Sequence, residues 1–151
     1  MNADAFLAER RIAVLGTVDP DGSPHLVAIW FEWAGRAFLF PTGSSSRKAR
    51  NARARPRGAI VVDARGPRPR GVAASGSLEV LEGPEALAIN ERIHRRYVTD
   101  EGMADPGMGG LLRDGDDVTL RLVPERFQAF DLEPVFGGRM ADPRLIRPLA
   151  D

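Results

Sequence analysis

Short apolar segments separated by turn sequences dominate the first third of the chain. Segments 11–18, 24–33 and 37–41 are rich in branched and aromatic residues, and the turn sequences DPDG and AGR connect them. Such short connections predict three consecutive antiparallel strands. Apolar residues occupy both faces of segment 11–18, which favours a small closed barrel over an open sheet with one face in water.

Two longer segments have helical rather than strand periodicity. Segment 46–54 begins with a serine that can cap a helix, and its arginines recur at three-residue spacing. Segment 83–97 opens with Gly-Pro and spaces its apolar residues at helical intervals. Strands are predicted between these helices at 55–63 and 70–83, and a short entry helix is predicted at 4–10.

The last third of the chain has a weaker pattern. Segment 98–116 is glycine-rich and is predicted to be a loop, either a mobile lid or a plain surface connection. Two final strands are predicted around Pro124, and the tail from residue 134 shows no periodicity. Strands and helices do not alternate regularly, so we expect one mainly-β antiparallel domain over residues 1–151, with no parallel βαβ unit.

The charge balance narrows the classes of partner. The 151 residues include 21 basic and 21 acidic side chains, so no overall positive charge attracts nucleic acid or an anionic membrane. The absence of cysteine excludes disulfides, thiolate nucleophiles and cysteine zinc sites. No segment reaches about 18 apolar residues, and the acidic N-terminus is unlike a signal peptide. We therefore expect a cytoplasmic protein with no metal, nucleic-acid or membrane site.

The only lysine, against twenty arginines, stands in the sequence TGSSSRKARN, residues 42–51. This segment begins a predicted helix, where unpaired backbone N–H groups favour an anion. Arginine binds phosphate oxygens through a planar fork, whereas lysine supplies a compact charge on a flexible stem. Arg47 and Lys48 therefore predict a phosphate site. The alternative is that the basic run 47–57 is only the solvated face of a helix, and spacing alone leaves both open.

Few other side chains suggest chemistry. His25 stands at the start of a strand, where it is either a base or a hydrogen-bonded surface residue. His94 lies among arginines on the second predicted helix, so we expect it on a solvated face without a role. Trp30, Phe31 and Trp33 are either core residues or stacking partners for a planar ligand, and strand alternation directs Trp30 away from the other two.

The sequences TVDPDGSPHLVAIWF, SRKARNARARPRGAIVVD and GVAASGSLEVLEG together resemble the pyridoxamine-phosphate-oxidase-like, flavin-binding split-barrel superfamily. The resemblance covers about residues 11–97 and resumes at LRLVPERFQAFDL. Within the superfamily, the first two sequences are most similar to the deazaflavin-dependent oxidoreductases, which bind coenzyme F420, or in some members FMN, at a dimer interface. The resemblance implies an antiparallel split β-barrel with short peripheral helices, in a homodimer.

The resemblance also implies a set of cofactor-binding residues. Thr42, Arg47 and Lys48 match positions that hold the cofactor phosphate. Ser44, Ser45, Ser46 and Asn51 lie in the same loop and helix. Ala28, Ile29 and Trp30 match the strand whose backbone runs beside the ring system. Coenzyme F420 is the favoured cofactor and FMN is the alternative.

One departure from the superfamily bears on function. Enzymes that oxidise pyridoxamine phosphate carry an arginine and a lysine on the second strand, whereas residues 26–31 contain no charge, so vitamin B6 synthesis is disfavoured. The implied activity is two-electron hydride transfer to a small unsaturated molecule. Because the cofactor supplies this chemistry, no catalytic side chain is expected. The alternative is a protein that binds or carries the cofactor without turnover.

Overall fold

The computed structural model describes residues 1–64, 66, 68–113 and 116–148. The strands are β1 (Ala13–Val18), β2 (Pro24–Ile29), β3 (Glu32–Trp33), β4 (Phe38–Gly43), β5 (Arg57–Asp63), β6 (Arg70–Leu81) and β7 (Asp117–Asp131). The helices are α1 (Ala3–Ala8), α2 (Arg47–Ala54), α3 (Gly83–Tyr97), α4 (Asp100–Ala104), α5 (Met108–Leu112) and α6 (Glu133–Phe136), followed by a 3₁₀ turn at Arg139–Ala141. The strands form one curled antiparallel sheet in the order β2-β1-β5-β6-β7-β4-β3, which confirms the mainly-β split barrel.

The predicted strand 24–33 is not continuous but consists of β2 and β3, although each of them pairs antiparallel with its neighbour in the chain as predicted. Strand β2 pairs only with β1 at one edge of the sheet, whereas β3 pairs with β4 at the opposite edge. Trp30 and Phe31 lie between the two strands. This break places the end of β2 and the end of β4 where both can line one cleft.

The two strands predicted around Pro124 are a single strand, β7. Its register with β6 shifts between Ser75 and Gly76, so that Pro124 faces Gly76 at a bulge. Proline has no N–H to donate to the ladder, and a bulge is where a strand tolerates it. A Cβ on Gly76 would lie 2.0 Å from the carbonyl oxygen of Val123, so only glycine fits there.

Aromatic and aliphatic side chains fill the inside of the curled sheet. Phe31, Phe38 and Phe40 are fully buried, and each contributes about 1.5–3 kcal/mol by leaving water. Helices α1 and α2 close the core with small and apolar residues: Phe6, Leu7, Ala49 and Ala52. Helix α2 is thereby fixed against the sheet.

The structure confirms α2 and α3 at the predicted positions, with Ser46 as the N-cap of α2. Segment 98–116, predicted as a loop, instead contains α4 and α5; residues 114 and 115 lie outside the described residues. Thr99 caps α4 by accepting a hydrogen bond from the amide of Gly102. A threonine at this position is a helix-start signal, but the many glycines of the segment favoured the prediction of a loop. None of the described helices has the length and hydropathy needed to cross a membrane.

Candidate functional site

A cleft of ≈ 500 Å³ opens between the end of β2, the end of β4 and helix α3. It is lined by Ile12, Ala28, Ile29, Trp30, Pro41, Thr42, Gly43, His94, Leu111, Leu112 and Asp117. Most of these residues are apolar, with a few polar groups among them, as in clefts that bind planar small molecules.

Aromatic stacking holds the end of β2 in place behind the cleft. The rings of Trp30 and Tyr97 are stacked, with centroids 5.2 Å apart. The hydroxyl oxygen of Tyr97 lies 2.7 Å from the carbonyl oxygen of Arg11 and 3.0 Å from that of Phe31, so its proton is donated to the backbone at the strand break. The backbone therefore keeps a hydrogen-bond donor at the point where the strand pairing of β2 stops.

His94 is buried on α3 and lines the cleft, so its predicted position on a solvated face was wrong. The neighbouring arginines point away from it, as Arg92 pairs with Glu32 and Arg95 pairs with Glu91. Burial lowers the pKa of His94, although the charges of Asp117 and Glu91 oppose the shift.

Strand β4 leads from the cleft directly to the N-terminus of α2. Thr42 is buried and donates a 3.0 Å hydrogen bond to Ser46 Oγ, which accepts from the amide of Ala49. The amides of Arg47 and Lys48 belong to the same first turn, and they have no acceptor among the residues described. The cleft therefore ends beside unpaired N–H groups, which favour an anion.

Arg47 and Asn51 belong to a second, separate groove of ≈ 550 Å³ beside the β1–β2 turn. Two guanidinium nitrogens of Arg47, Nε and Nη2, donate to the carboxylate of Asp19, the Nε contact at 2.8 Å. Asn51 donates to Asp19 at 2.9 Å and to Thr17 at 3.1 Å. These contacts lower the pKa of Asp19 to about 2 and join α2 to the turn.

Lys48 differs from every other basic residue in the run 47–57. It is half-buried, and desolvation lowers its pKa. No hydrogen bond or ion pair links it to any residue in the described part of the chain. The arginines of the run all have acceptors; beyond Arg47 with Asp19 these are Arg50 with Ser45, Arg53 with Ser44 and Glu82, Arg55 with Val18 and Asn51, and Arg57 with Glu125.

The structure brings only some of the predicted residues together. Ala28, Ile29, Trp30 and Thr42 line the cleft. Ser46 caps the adjacent helix, while the hydroxyl of Ser44 donates to Asp116 at 2.8 Å, and Ser45 is exposed beside it. Arg47 and Asn51 lie in the second groove, and Lys48 lines neither.

The sequence analysis missed His94, Tyr97 and Asp19. The two residues on α3 share a helical face with buried Ala86, Asn90 and Ile93, and that spacing was a usable signal. Asp19 had no such signal, because only the tertiary contact between the β1–β2 turn and α2 gives it a partner.

The sequence profile described as "Pyridoxamine 5'-phosphate oxidase" matches residues 2–129, most of the chain and all of the elements that form the cleft. The chain belongs to the pyridoxamine 5'-phosphate oxidase family. No curated protein matches it in sequence.

Several solved structures of this family's fold are similar to the chain. The conserved hypothetical protein Rv2991 from Mycobacterium tuberculosis is 30% identical, with a TM-score of 0.71 over 88% of this chain and 84% of that one. An F420 reductase is 26% identical, with a TM-score of 0.68 over 85% of this chain and 97% of that one. The heme storage protein HutZ from Vibrio cholerae, 19% identical with a TM-score of 0.66 over 83% and 90%, shares the fold.

Proposed function

We propose that the chain is an oxidoreductase that binds coenzyme F420 in the cleft, with FMN as the alternative cofactor, and reduces or oxidises a small unsaturated molecule. The observation that carries the proposal is Lys48, a half-buried cation without a partner among the described residues. Partial burial weakens the hydration of this ammonium group, which strengthens its attraction to an anion. A ligand phosphate would provide the missing partner.

The described residues fit a phosphate-bearing planar cofactor. The cleft volume of ≈ 500 Å³ lies within the range of small-molecule sites. Ala28 to Trp30 and Pro41 to Gly43 provide flat, mostly apolar walls for a ring system. The first turn of α2 supplies unpaired amides for a phosphate at the end of β4.

Each side chain has a role that follows from its contacts. Lys48 would bind the phosphate as a compact charge. Arg47 keeps its Nη1 free for a second phosphate oxygen, because its Nε and Nη2 are committed to Asp19. Thr42, Ser44 and Ser45 would add hydroxyl contacts, with Ser46 and Asn51 shaping the helix that carries them. When bound, the cofactor supplies the two-electron hydride chemistry.

Coenzyme F420 is favoured because the F420 reductase is similar to this chain over nearly its whole length. Residues 26–31 carry no charge, in contrast to enzymes that act on pyridoxamine phosphate. FMN remains the alternative because it presents the same combination of a planar ring and a phosphate.

The outer face of the sheet supports a homodimer with the cofactor between subunits. Small apolar residues from four adjacent strands share this face: Val14, Gly16, Val18, Pro24, Leu26, Ala28, Ala59, Val61 and Ala73. Leu26 is 66% exposed at the sheet edge. Ala28 also lines the cleft, so a second subunit on this face would complete the cleft wall.

Light scattering tests the dimer, with Leu26→Glu as the variant. A charge in the proposed interface should convert the dimer to a monomer and weaken cofactor binding, since the cleft would lose a wall. Leu87→Glu is the matched control, because Leu87 is 42% exposed on α3 outside the proposed interface. A monomeric parent that binds the cofactor with the same affinity as Leu26→Glu would contradict the shared cleft.

The proposed function is tested by the spectrum and mass of the ligand that copurifies, followed by titration of the cofactor-free protein with F420 and FMN side by side. We expect micromolar or tighter binding, with F420 preferred. Turnover of enone or nitro compounds with the reduced cofactor then separates an oxidoreductase from a protein that only carries the cofactor. Binding of neither cofactor would contradict the proposal.

A further inference from the structure

Two buried polar residues stand one turn apart on the same face of α3, but only one has its hydrogen bonds. Asn90 donates to the carbonyl oxygen of Val118 at 3.0 Å and accepts from the hydroxyl of Thr119 at 2.7 Å. His94, 4% exposed, has no acceptor or donor for its Nδ1 among the described residues. Buried polar atoms of native proteins are nearly always paired. The other exceptions among the described residues are Nε of Arg11 and Nε of Arg96, whose guanidinium groups bond through other nitrogens, whereas no hydrogen bond to a described residue engages the His94 ring.

The imidazole of His94 is held in place by packing alone. Its ring meets Trp30 edge-on, with centroids 6.2 Å apart and an interplanar angle of 70°. Trp30 is itself stacked on Tyr97, whose hydroxyl contacts the backbone at Arg11 and Phe31. The orientation of His94 is therefore set before any ligand binds, as a preorganised binding group requires.

The charge state and tautomer of His94 follow from its surroundings. Burial lowers its pKa, so the ring is neutral near pH 7 and has one N–H and one bare nitrogen. An unpaired buried N–H is rarer than an unpaired acceptor, which places the proton on Nε2 and leaves the buried Nδ1 bare. Nε2 also lacks a partner within the described ranges, and His94 lines the cleft.

We propose that His94 is a cofactor-binding residue that donates its Nε2–H to a carbonyl oxygen of the ring system held in the cleft. Flavin and deazaflavin rings both carry such neutral acceptors, which suit a neutral donor. The inference rests on the proposed function and adds to it a contact from α3, separate from the phosphate site at α2. Specificity follows, because a ring without an acceptor at that position would leave the imidazole unpaired.

The first test compares His94→Phe with the parent in cofactor titrations and thermal melts. Phenylalanine keeps the contact with Trp30 and removes the hydrogen bond, so affinity for F420 or FMN should fall about threefold to tenfold. The melting temperature should stay equal or rise, since an unpaired buried nitrogen is lost. His25→Gln is the control, because His25 bonds to Thr17 outside the cleft and should leave affinity unchanged.

The second test observes the imidazole directly by ¹⁵N NMR of histidine-labelled protein, which has only two histidines. We expect a neutral Nε2–H tautomer for His94 without cofactor, and a shift of its Nε2 signal on adding F420 or FMN. A charged ring, an Nδ1–H tautomer, or cofactor binding that leaves both the signal and the His94→Phe affinity unchanged would overturn the inference.

The two proposals fail separately. If neither cofactor binds the parent, the proposed function is wrong, whereas the tautomer and melting measurements need no ligand. In that case a neutral Nε2–H tautomer with an equal or higher melting temperature for His94→Phe would still support an imidazole held for a ligand. A lower melting temperature would overturn it and give His94 a structural role.

Discussion

Two polar regions of the molecule differ in how completely their hydrogen bonds are satisfied. Beside the β1–β2 turn, Asp19 accepts hydrogen bonds from both Arg47 and Asn51, and Asn51 also donates to Thr17. In the cleft, Nδ1 of His94 has no hydrogen-bond partner in the described part of the chain. On the first turn of α2, Lys48 is half-buried and has no such partner either. Both regions combine the residue types expected of an active site, but the first engages its side chains mainly within the protein and leaves Nη1 of Arg47 free.

The difference separates side chains whose hydrogen bonds are made within the protein from side chains that a ligand could still engage. Asn51 was predicted to bind the cofactor because it stands in the same helix as Lys48. In the structure its side chain belongs to the network that fixes α2 against the turn. That network still serves the proposed site, because it sets the position of the helix whose N-terminus carries Lys48.

The largest effect is expected for Asn51→Ala. Asn51 is 2% exposed, and its removal takes one donor from the hydroxyl of Thr17 and one from the carboxylate of Asp19, which keeps only Arg47, and leaves a cavity in a buried polar network. The free energy of unfolding should fall by about 2–3 kcal/mol. For a chain of this size the melting temperature should then fall by roughly 5–10 °C. Urea unfolding of the cofactor-free protein measures the free energy of unfolding. An unchanged value for Asn51→Ala would mean that Asn51 does not stabilise the fold and that its side chain is available to a ligand.

A smaller loss is expected for Tyr97→Phe behind the cleft. The variant keeps the stacked ring but removes the hydroxyl that contacts the carbonyls of Arg11 and Phe31. We expect the free energy of unfolding to fall by about 0.5–1.5 kcal/mol. In Tyr97→Phe, Trp30 and His94 keep their packing but are held less rigidly, so the affinity for the cofactor should fall less than it does in His94→Phe. An affinity loss larger than that would place Tyr97 itself in the binding site.

The smallest expected effect is the contribution of Asp19 to the loss of folding stability in acid. Its pKa falls from 3.8 in the unfolded chain to about 2 in the folded one, because Arg47 and Asn51 donate to its ionised form. This stabilisation is present above pH 3.8 and is lost as the pH falls through about 2. Urea midpoints measured between pH 5 and 2 should therefore decline less steeply for Asp19→Asn than for the parent. Equal slopes would contradict the pKa shift.

The sequence predicted the elements whose signals are local. Ser46 and the Gly-Pro sequence at 83–84 mark where α2 and α3 begin, since caps act over one helical turn. It did not predict the break at Trp30 and Phe31, because an apolar run continues through both residues. Among the described residues it is the hydroxyl of Tyr97, 66 residues away from Phe31, that bonds to the backbone there.

The candidate site was predicted only in part, because local sequence signals were readable and contacts between distant residues were not. The resemblance located Ala28 to Trp30 and Thr42, which the structure gathers in one cleft. The burial of His94 was missed because the arginines around it read as a solvated face. Their long side chains reach outward from α3 to acidic partners, while His94 continues the buried face begun by Ala86 and Asn90.

The proposal that Lys48 binds the cofactor phosphate is tested by cofactor titration of Lys48→Ala, Lys48→Arg and Arg57→Ala at one ionic strength. Lys48→Ala should weaken binding of F420 or FMN about tenfold to a hundredfold without changing the melting temperature, because a charge-assisted contact worth about 1.5–3 kcal/mol is lost. Lys48→Arg should restore only part of the loss. Arg57 lies on β5 and pairs with Glu125 on β7, so Arg57→Ala is the matched control and should bind the cofactor like the parent. Equal losses for Lys48→Ala and Arg57→Ala, or none for Lys48→Ala, would contradict the account.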